Sequence, residues 1–257
     1  MVYLDKNEVE NLRKVYNSEH SNEDPIPEGD MDFIWAELKK RLHSQCKNSG
    51  SECIITSMLS KPNAPDSWIS NPEEWLSSDD IDALEKQFEK VFLNYDFLGT
   101  FPIDFDKRSQ TGTCLVSVLC SLDIKKLYDK GKTQIGIIFN TDVSTGPGKH
   151  WVAIFCDLGR EFEYPRITYF DSYSQKPEKE IQVLMKRWKE QWDSLKIHSK
   201  PMVLTYNKTR HQYEDSECGM YCLYFHLCCL LHIPMEKRIP DNVIRGFRGM
   251  LFRVGKG

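Results

Sequence analysis

The chain has 257 residues, 40% of them hydrophobic and 28% charged, enough for one large domain or a domain with an appendage, and its composition excludes wholesale disorder. Lys plus Arg is 34 against Asp plus Glu 38, a net charge of −4 that argues against a dedicated nucleic-acid or membrane-surface binder. One local exception is the end, where residues 236–257 carry six Lys/Arg against two acids.

The start, "MVYLDKNEVENLRK", is charged from Asp5 onward and does not read as a signal peptide. It opens a helix, followed by an acidic, proline-containing loop, a second helix around Met31 to His43 and a loop holding Cys46 and Cys53. Residues 1–70 are therefore expected to form a mainly helical N-terminal appendage to a larger domain over 71–257. Ser77 or Ser78 can cap the next helix, with Asp79, Asp80 and Asp82 near its positive end. Ile81, Leu84, Phe88 and Val91 repeat along it at helical spacing. "QIGIIFN" (134–140) and "HWVAIFC" (150–156) read as buried strands joined by the turn "STGPGK", and "RITYFD" (166–171) as a third strand. Ile181, Leu184, Met185, Trp188 and Trp192 form the stripe of an amphipathic helix. "PMVLTYN" is a fourth strand, Cys218 to His232 a buried helix and "DNVIRGFRGMLFR" a final helix. Strands and helices in this order give an α+β fold. No apolar run approaches the roughly 18–20 residues that span a bilayer, so no membrane insertion is expected. Nine cysteines, an odd number with no Cys-x-x-Cys pair, point to free thiols in a reducing compartment; Cys46 and Cys53 could bind metal or form a disulfide, but as an isolated pair they are expected to be inert.

The chemistry centres on Cys218, at a junction between loop and helix. A free thiol titrates near about 8.5, and a helix dipole alone shifts that by about one unit. A histidine that takes the proton and stays charged would complete the activation. Of seven histidines, His150 is the best placed, at the mouth of an apolar strand after the Gly/Pro turn, whereas His226 reads as a satisfied core residue. An imidazole base needs an acceptor on its other nitrogen, and Asp171, ending the adjacent strand, can supply it. Acyl transfer also needs oxyanion donors, for which the Gln212 side chain and the Cys218 backbone N–H are candidates.

The ordered set His150-Trp151, Asp171, Gln212 and Cys218-Gly219, with Gln six residues before Cys, resembles the ubiquitin-like-protein-specific cysteine proteases. That family includes the SUMO proteases and the adenovirus-type maturation proteases. "FNTDVSTGPGKHWVAIFCDL", "RHQYEDSECG" and "FRGMLFRV" are most similar to its polyprotein-processing branch in African swine fever virus and related large cytoplasmic DNA viruses. Asp171 departs from that branch, which is Asn-type there, and follows the SUMO-protease habit. The resemblance implies a papain-like, adenain-type core: a central mixed sheet with the nucleophile at the N-terminus of a buried helix. It implies Cys218 as nucleophile, His150 as general base and acid, Asp171 as its orienting partner and Gln212 in the oxyanion hole. Cleavage would follow Gly-Gly in a slot walled by Trp151 and Trp75, with Asn140 and Gly219 also touching substrate, and with no cofactor or metal. The implied substrate is a viral core or capsid polyprotein cut during virion maturation, in the host cytoplasm (viral factory) and in the virion. A peptide or nucleic-acid activator has no support in the residues.

Two other readings stay open from the sequence. The same slot would serve a protease that removes SUMO or ubiquitin from conjugates. Alternatively, Cys218, Cys222 and His226, spaced i, i+4, i+8 on one helix face, could hold a metal in a module without enzymatic activity.

Overall fold

A computed structural model describes residues 4, 6–43, 46, 51–59, 61–159 and 164–253, so that Val254 and Lys256 of the C-terminal motif and basic segment lie outside the described residues. In chain order the described helices are α1 (Lys6–Glu19), α2 (Met31–Arg41), α3 (Ser51–Met58), α4 (Ser78–Val91), α5 (Ser117–Cys120), α6 (Ile124–Asp129), α7 (Lys179–Leu195), α8 (Cys218–Leu230) and α9 (Asp241–Leu251). The strands are β1 (Tyr95–Pro102), β2 (Gln134–Asn140), β3 (Trp151–Asp157), β4 (Arg166–Phe170) and β5 (Val203–Tyr206), adjacent in that order in one sheet. β1–β2 and β4–β5 are parallel, while β2–β3 and β3–β4 are antiparallel, which is the mixed sheet expected.

β2 and β3 are buried on both faces, which is why they read as continuous apolar runs rather than alternating ones. Ile135, Ile137, Phe139, Val152 and Ile154 share one core with Trp188 and Trp192 of α7. Ile138, Ala153 and Phe155 point the other way, into a core with Tyr221 and Leu223 of α8. α4 begins as anticipated: Ser77 caps Asp80, and the Asp80 carboxylate returns a bond to the Ser77 backbone, closing a capping box. The N-terminal helices are not set apart from this core. Leu12, Ile34, Leu38 and Ile55 belong to the same apolar cluster as Leu84 and Tyr221.

Of the elements named above, β1, α3, α5 and α6 were not anticipated, and the cysteine pairing also differs from the sequence reading. In β1, Gly99 at φ +128° and a register irregularity between Phe97 and Thr100 break the pattern. Cys53 lies in α3 instead of a loop, and it bonds to Cys46. Cys114 bonds to Cys120, so four of the nine cysteines are not free thiols; Cα separations of 5.8 and 6.5 Å allow both bridges. Cys156, Cys218, Cys222, Cys228 and Cys229 are not in disulfides.

α8 is fixed against the sheet by a polar cluster inside the core. His226 Nδ1 meets Glu85 Oε1 of α4 at 2.7 Å, and His226 Nε2 meets the Ile154 carbonyl of β3 at 3.1 Å. Tyr95 of β1 donates its hydroxyl to Glu85 Oε2 at 2.8 Å. All three side chains are fully buried. Gly136 makes the room, since a Cβ there would lie 2.0 Å from the Tyr95 hydroxyl. With both ring nitrogens engaged, His226 has none to offer a metal. Among the described residues no cluster of three or more His, Cys, Asp or Glu side chains is placed to hold one, so the metal-module reading is corrected. Glu85→Ala, which leaves His226 and Tyr95 buried without their acceptor, is expected to cost about 3–5 kcal/mol of stability. Urea denaturation measures it; a loss under about 1 kcal/mol, the value of an exposed pair, would show that the cluster does not hold α8.

Candidate active site

His150 stands one residue before β3, aimed by the turn that precedes it. Asn140, at the end of β2, accepts the backbone N–H groups of Asp142 (2.9 Å) and Lys149 (3.0 Å) on its Oδ1. The Asp142 carboxylate receives the Gly148 N–H at 3.2 Å and pairs with Lys149 Nζ at 3.1 Å, and the Lys149 bond holds it below the usual carboxylate range. Gly148 is required by its backbone, at φ +93°.

On the neighbouring strand Asp171 follows the last residue of β4. His150 Nε2 donates to its Oδ1 at 2.7 Å. The same carboxylate accepts the backbone N–H groups of Tyr173 (3.0 Å, on Oδ1) and Gln175 (2.9 Å, on Oδ2), so the loop after β4 wraps around it. Asn207 clamps the Asp171 main chain, donating to its carbonyl at 2.8 Å and accepting its N–H at 2.9 Å. The Tyr173 ring lies 5.0 Å from the His150 ring, centroid to centroid, and its hydroxyl donates to the Glu214 carbonyl.

Cys218 is the first residue of α8 and is buried. Its N–H is one of those a helix leaves without an internal partner, at the positive end of the dipole. Burial disfavours the His150 imidazolium, but the hydrogen bonds to Asp171 and then to Cys218, reinforced by their charges, outweigh it and raise the His150 pKa from 6.5 to about 9. The imidazole is therefore held charged between a carboxylate and a sulfur, the condition for a reactive thiolate.

Gln212 is buried with its amide oriented. Ser172 Oγ donates to its Oε1 at 2.6 Å, and its Nε2 donates to the Glu214 carbonyl at 2.7 Å. One Nε2 hydrogen is left. Trp151 is nearly buried, its indole N–H donating to the Leu76 carbonyl at 2.9 Å, which draws Trp75 to the same place. Trp75, Trp151 and Asn140 line a cleft of about 700 Å³ together with Phe101, Leu115 and Val143. Gly219 does not line this cleft. It lies where α8 passes Leu76, whose side-chain carbons would be 3.1 Å from a Cβ there.

His150 links Asp171 and Cys218, Gln212 is tied through Ser172 to the loop after β4, and three of the four proposed substrate contacts line the cleft beside Trp151. Ser172, Tyr173 and Asn207, which orient Gln212, cover His150 and clamp Asp171, were missed. Ser172 and Tyr173 sit beside Asp171 in "FDSYS", but nothing in a single sequence distinguishes them from ordinary turn residues.

A helix-start cysteine facing an imidazole, itself backed by a carboxylate, is an arrangement that activates a thiol for nucleophilic attack. Residues 130–252 match the Ulp1 protease family, C-terminal catalytic domain. The chain is 30% identical over 188 residues to a thiol protease of Acanthamoeba polyphaga mimivirus, a match covering 72% of this chain and 58% of that protein. It is 39% identical over 123 residues to an African swine fever virus cysteine protease, covering 46% of this chain and 44% of that one. The chain thus spans about half the length of these viral relatives. The crystal structure of the African swine fever virus protease superposes with a TM-score of 0.63 at 22% identity, covering 98% of this chain and 91% of that one. The yeast Ulp1 protease domain, solved in complex with the yeast ortholog of SUMO, superposes with a TM-score of 0.50 at 17% identity, covering 89% and 97%.

Because the folded-state pKa of His150 lies above 6.5, its contribution to stability is complete below about pH 6.5 and is lost as pH rises through about 9. NMR titration of the His150 ring is expected to give a midpoint near 9, lowered in Asp171→Asn. A midpoint at or below 6.5 in the wild type would rule out the charged pair.

Proposed function

We propose that the chain is a cysteine endopeptidase that cleaves after Gly-Gly in viral structural polyprotein precursors during virion maturation, in the host cytoplasm and in the virion. The observation that carries this reading is the His150 ring, bonded to Asp171 at 2.7 Å and raised to about 9 by Asp171 and Cys218. The cysteine-protease names of the viral relatives support the chemistry and the setting. The exposed Trp75 beside the nearly buried Trp151 supports a flat-walled slot, through which a stretch without side chains passes best.

In this reading the Cys218 thiolate attacks the carbonyl carbon of the second glycine. The Cys218 N–H and the remaining Gln212 Nε2 hydrogen receive the charge that develops on the oxygen. His150 then gives its proton to the departing amine, and a thioester joins the glycine to Cys218 Sγ. Water, losing a proton to His150, hydrolyses the thioester and restores the thiolate–imidazolium pair. Asp171 fixes the ring so that Nδ1 is the atom exchanging protons, since Nε2 is held by the carboxylate. Asn140, which lines the cleft, would bond substrate through its amide nitrogen, its oxygen being occupied by the turn.

Other African swine fever virus relatives are named SUMO-1 cysteine proteases, which favours testing deconjugation of ubiquitin-like proteins as the second reading. Purified protein is assayed on a Gly-Gly-x peptide from a virion precursor beside SUMO and ubiquitin adducts. Cleavage of the adducts alone would replace the polyprotein reading with the deconjugase one. Cys218→Ser and His150→Ala are each expected to abolish cleavage with the fold intact, and near-wild-type turnover in either would refute the protease assignment. Gln212→Ala is expected to lower turnover by about 10²–10³-fold.

A further inference from the structure

We infer that Arg248 of α9 is a positioning residue for the nucleophile: it neutralises Glu217, the residue immediately before Cys218, and so allows the thiol to ionise beside a buried carboxylate. The inference rests on reading Cys218 as the nucleophile.

Glu217 occupies the N-cap of α8 with its side chain fully buried, yet it makes no capping hydrogen bond. An acid at a helix start ordinarily accepts a backbone N–H or faces water; this one does neither. It faces α9. Arg248 Nε donates to Glu217 Oε2 at 2.9 Å, Arg245 Nε lies 3.5 Å from Oε1, and Ser216 Oγ donates to Oε1 at 3.3 Å. The two arginines are not equivalent. Arg245 is 29% exposed and is shared with Glu214 and with Glu73, the latter at 3.2 Å. Arg248 is 5% exposed and stacks over the Trp68 ring at 4.4 Å, and among the described residues its two Nη atoms have no hydrogen-bond partner. Glu217 is thus the acid that balances Arg248, and Arg248 is the buried cation that balances Glu217.

The consequence for Cys218 follows from its neighbours. The other groups that act on it are His150, Asp171 behind that ring, the Tyr173 phenol and the Cys222 thiol one turn along α8. Asp171 is balanced by the imidazolium. Glu217 has no such partner at the catalytic centre, and an uncompensated carboxylate one residue from the sulfur would disfavour a second negative charge in a poorly hydrated place. The same pair ties α9 to the start of α8, which explains why two arginines of the basic C-terminal segment point inward instead of forming an exposed cationic face.

The test reads the sulfur directly and needs no substrate. Iodoacetamide alkylation of Cys218, located by peptide mass spectrometry, is followed against pH in the full chain, with thermal unfolding checked alongside. Arg248→Met is expected to move the alkylation midpoint up by about one pH unit and to slow alkylation at acid pH about tenfold. Arg248→Lys should recover most of the shift. The double variant Arg248→Met/Glu217→Gln should return the midpoint to wild type even if its melting temperature stays low, because the offending charge is gone. A lowered melting temperature in Arg248→Met with an unchanged midpoint would make the pair merely structural and overturn the inference. If Arg248→Met does not fold, Glu217→Gln decides: its midpoint is expected to fall, and one that stays or rises overturns the proposal. A wild-type thiol no more reactive than an ordinary cysteine counts against the nucleophile assignment itself. A fast thiol indifferent to Arg248 and Glu217 counts against this inference alone.

Discussion

Everything at the site depends on keeping one imidazole charged in a place that disfavours charge. Burial pushes His150 towards neutrality, and the Asp171 carboxylate on one side and Cys218 on the other push harder in the opposite direction. That balance holds only while three segments far apart in sequence stay in register. They are the turn before β3, the loop after β4 and the first turn of α8. A displacement of about 1 Å in any of them would weaken the short hydrogen bonds faster than it would relieve the desolvation.

The scaffold meets this demand with rigid elements. β3 and β4 are neighbours in the centre of the sheet, so His150 and Asp171 are carried to the same edge by backbone pairing. α8 lies across β3 and is held by the His226 bond to Ile154, with Glu85 and Tyr95 completing the cluster. Two glycines permit the close approach: Gly136 leaves space for Tyr95, and Gly219 lets α8 pass Leu76. Leu76 in turn receives the Trp151 indole N–H, so the same contact that seats the helix also shapes the cleft.

Three carboxylates of the site and of the turn before β3 are handled in three ways. Asp171 is matched to the catalytic imidazole, Glu217 is turned away from the helix start towards α9, and Asp142 is tied into the turn by Lys149. Each of these carboxylates has a specific cationic partner, and only Asp171 shares its partner, the His150 imidazolium, with Cys218. The N-terminal helices add apolar mass to the side of the core that supports α8, through Leu12, Leu38 and Ile55. Among the described residues no helix is long and apolar enough to cross a membrane.

The sequence by itself determined β2, β3 and α8 from their continuous apolar runs and α4 and α7 from their helical period, with the α4 cap narrowed to Ser77 or Ser78. It also determined which residues could do the chemistry, because a Gln six residues before Cys-Gly, preceded by His-Trp and Asp, is a constrained order. It did not determine β1, where Gly99 and a bulge hide the alternation, nor the pairing of Cys46 with Cys53 and Cys114 with Cys120. Tertiary structure alone decided the partners. Ser172 orienting Gln212, Asn207 clamping Asp171, Glu85 answering His226 and Arg248 answering Glu217 are all pairs separated by about 30 residues or more. A local pattern reports periodicity and turn chemistry within a few residues. The electrostatic environment of a buried charge is set by whichever distant chain segment packs against it, and only the folded chain fixes that.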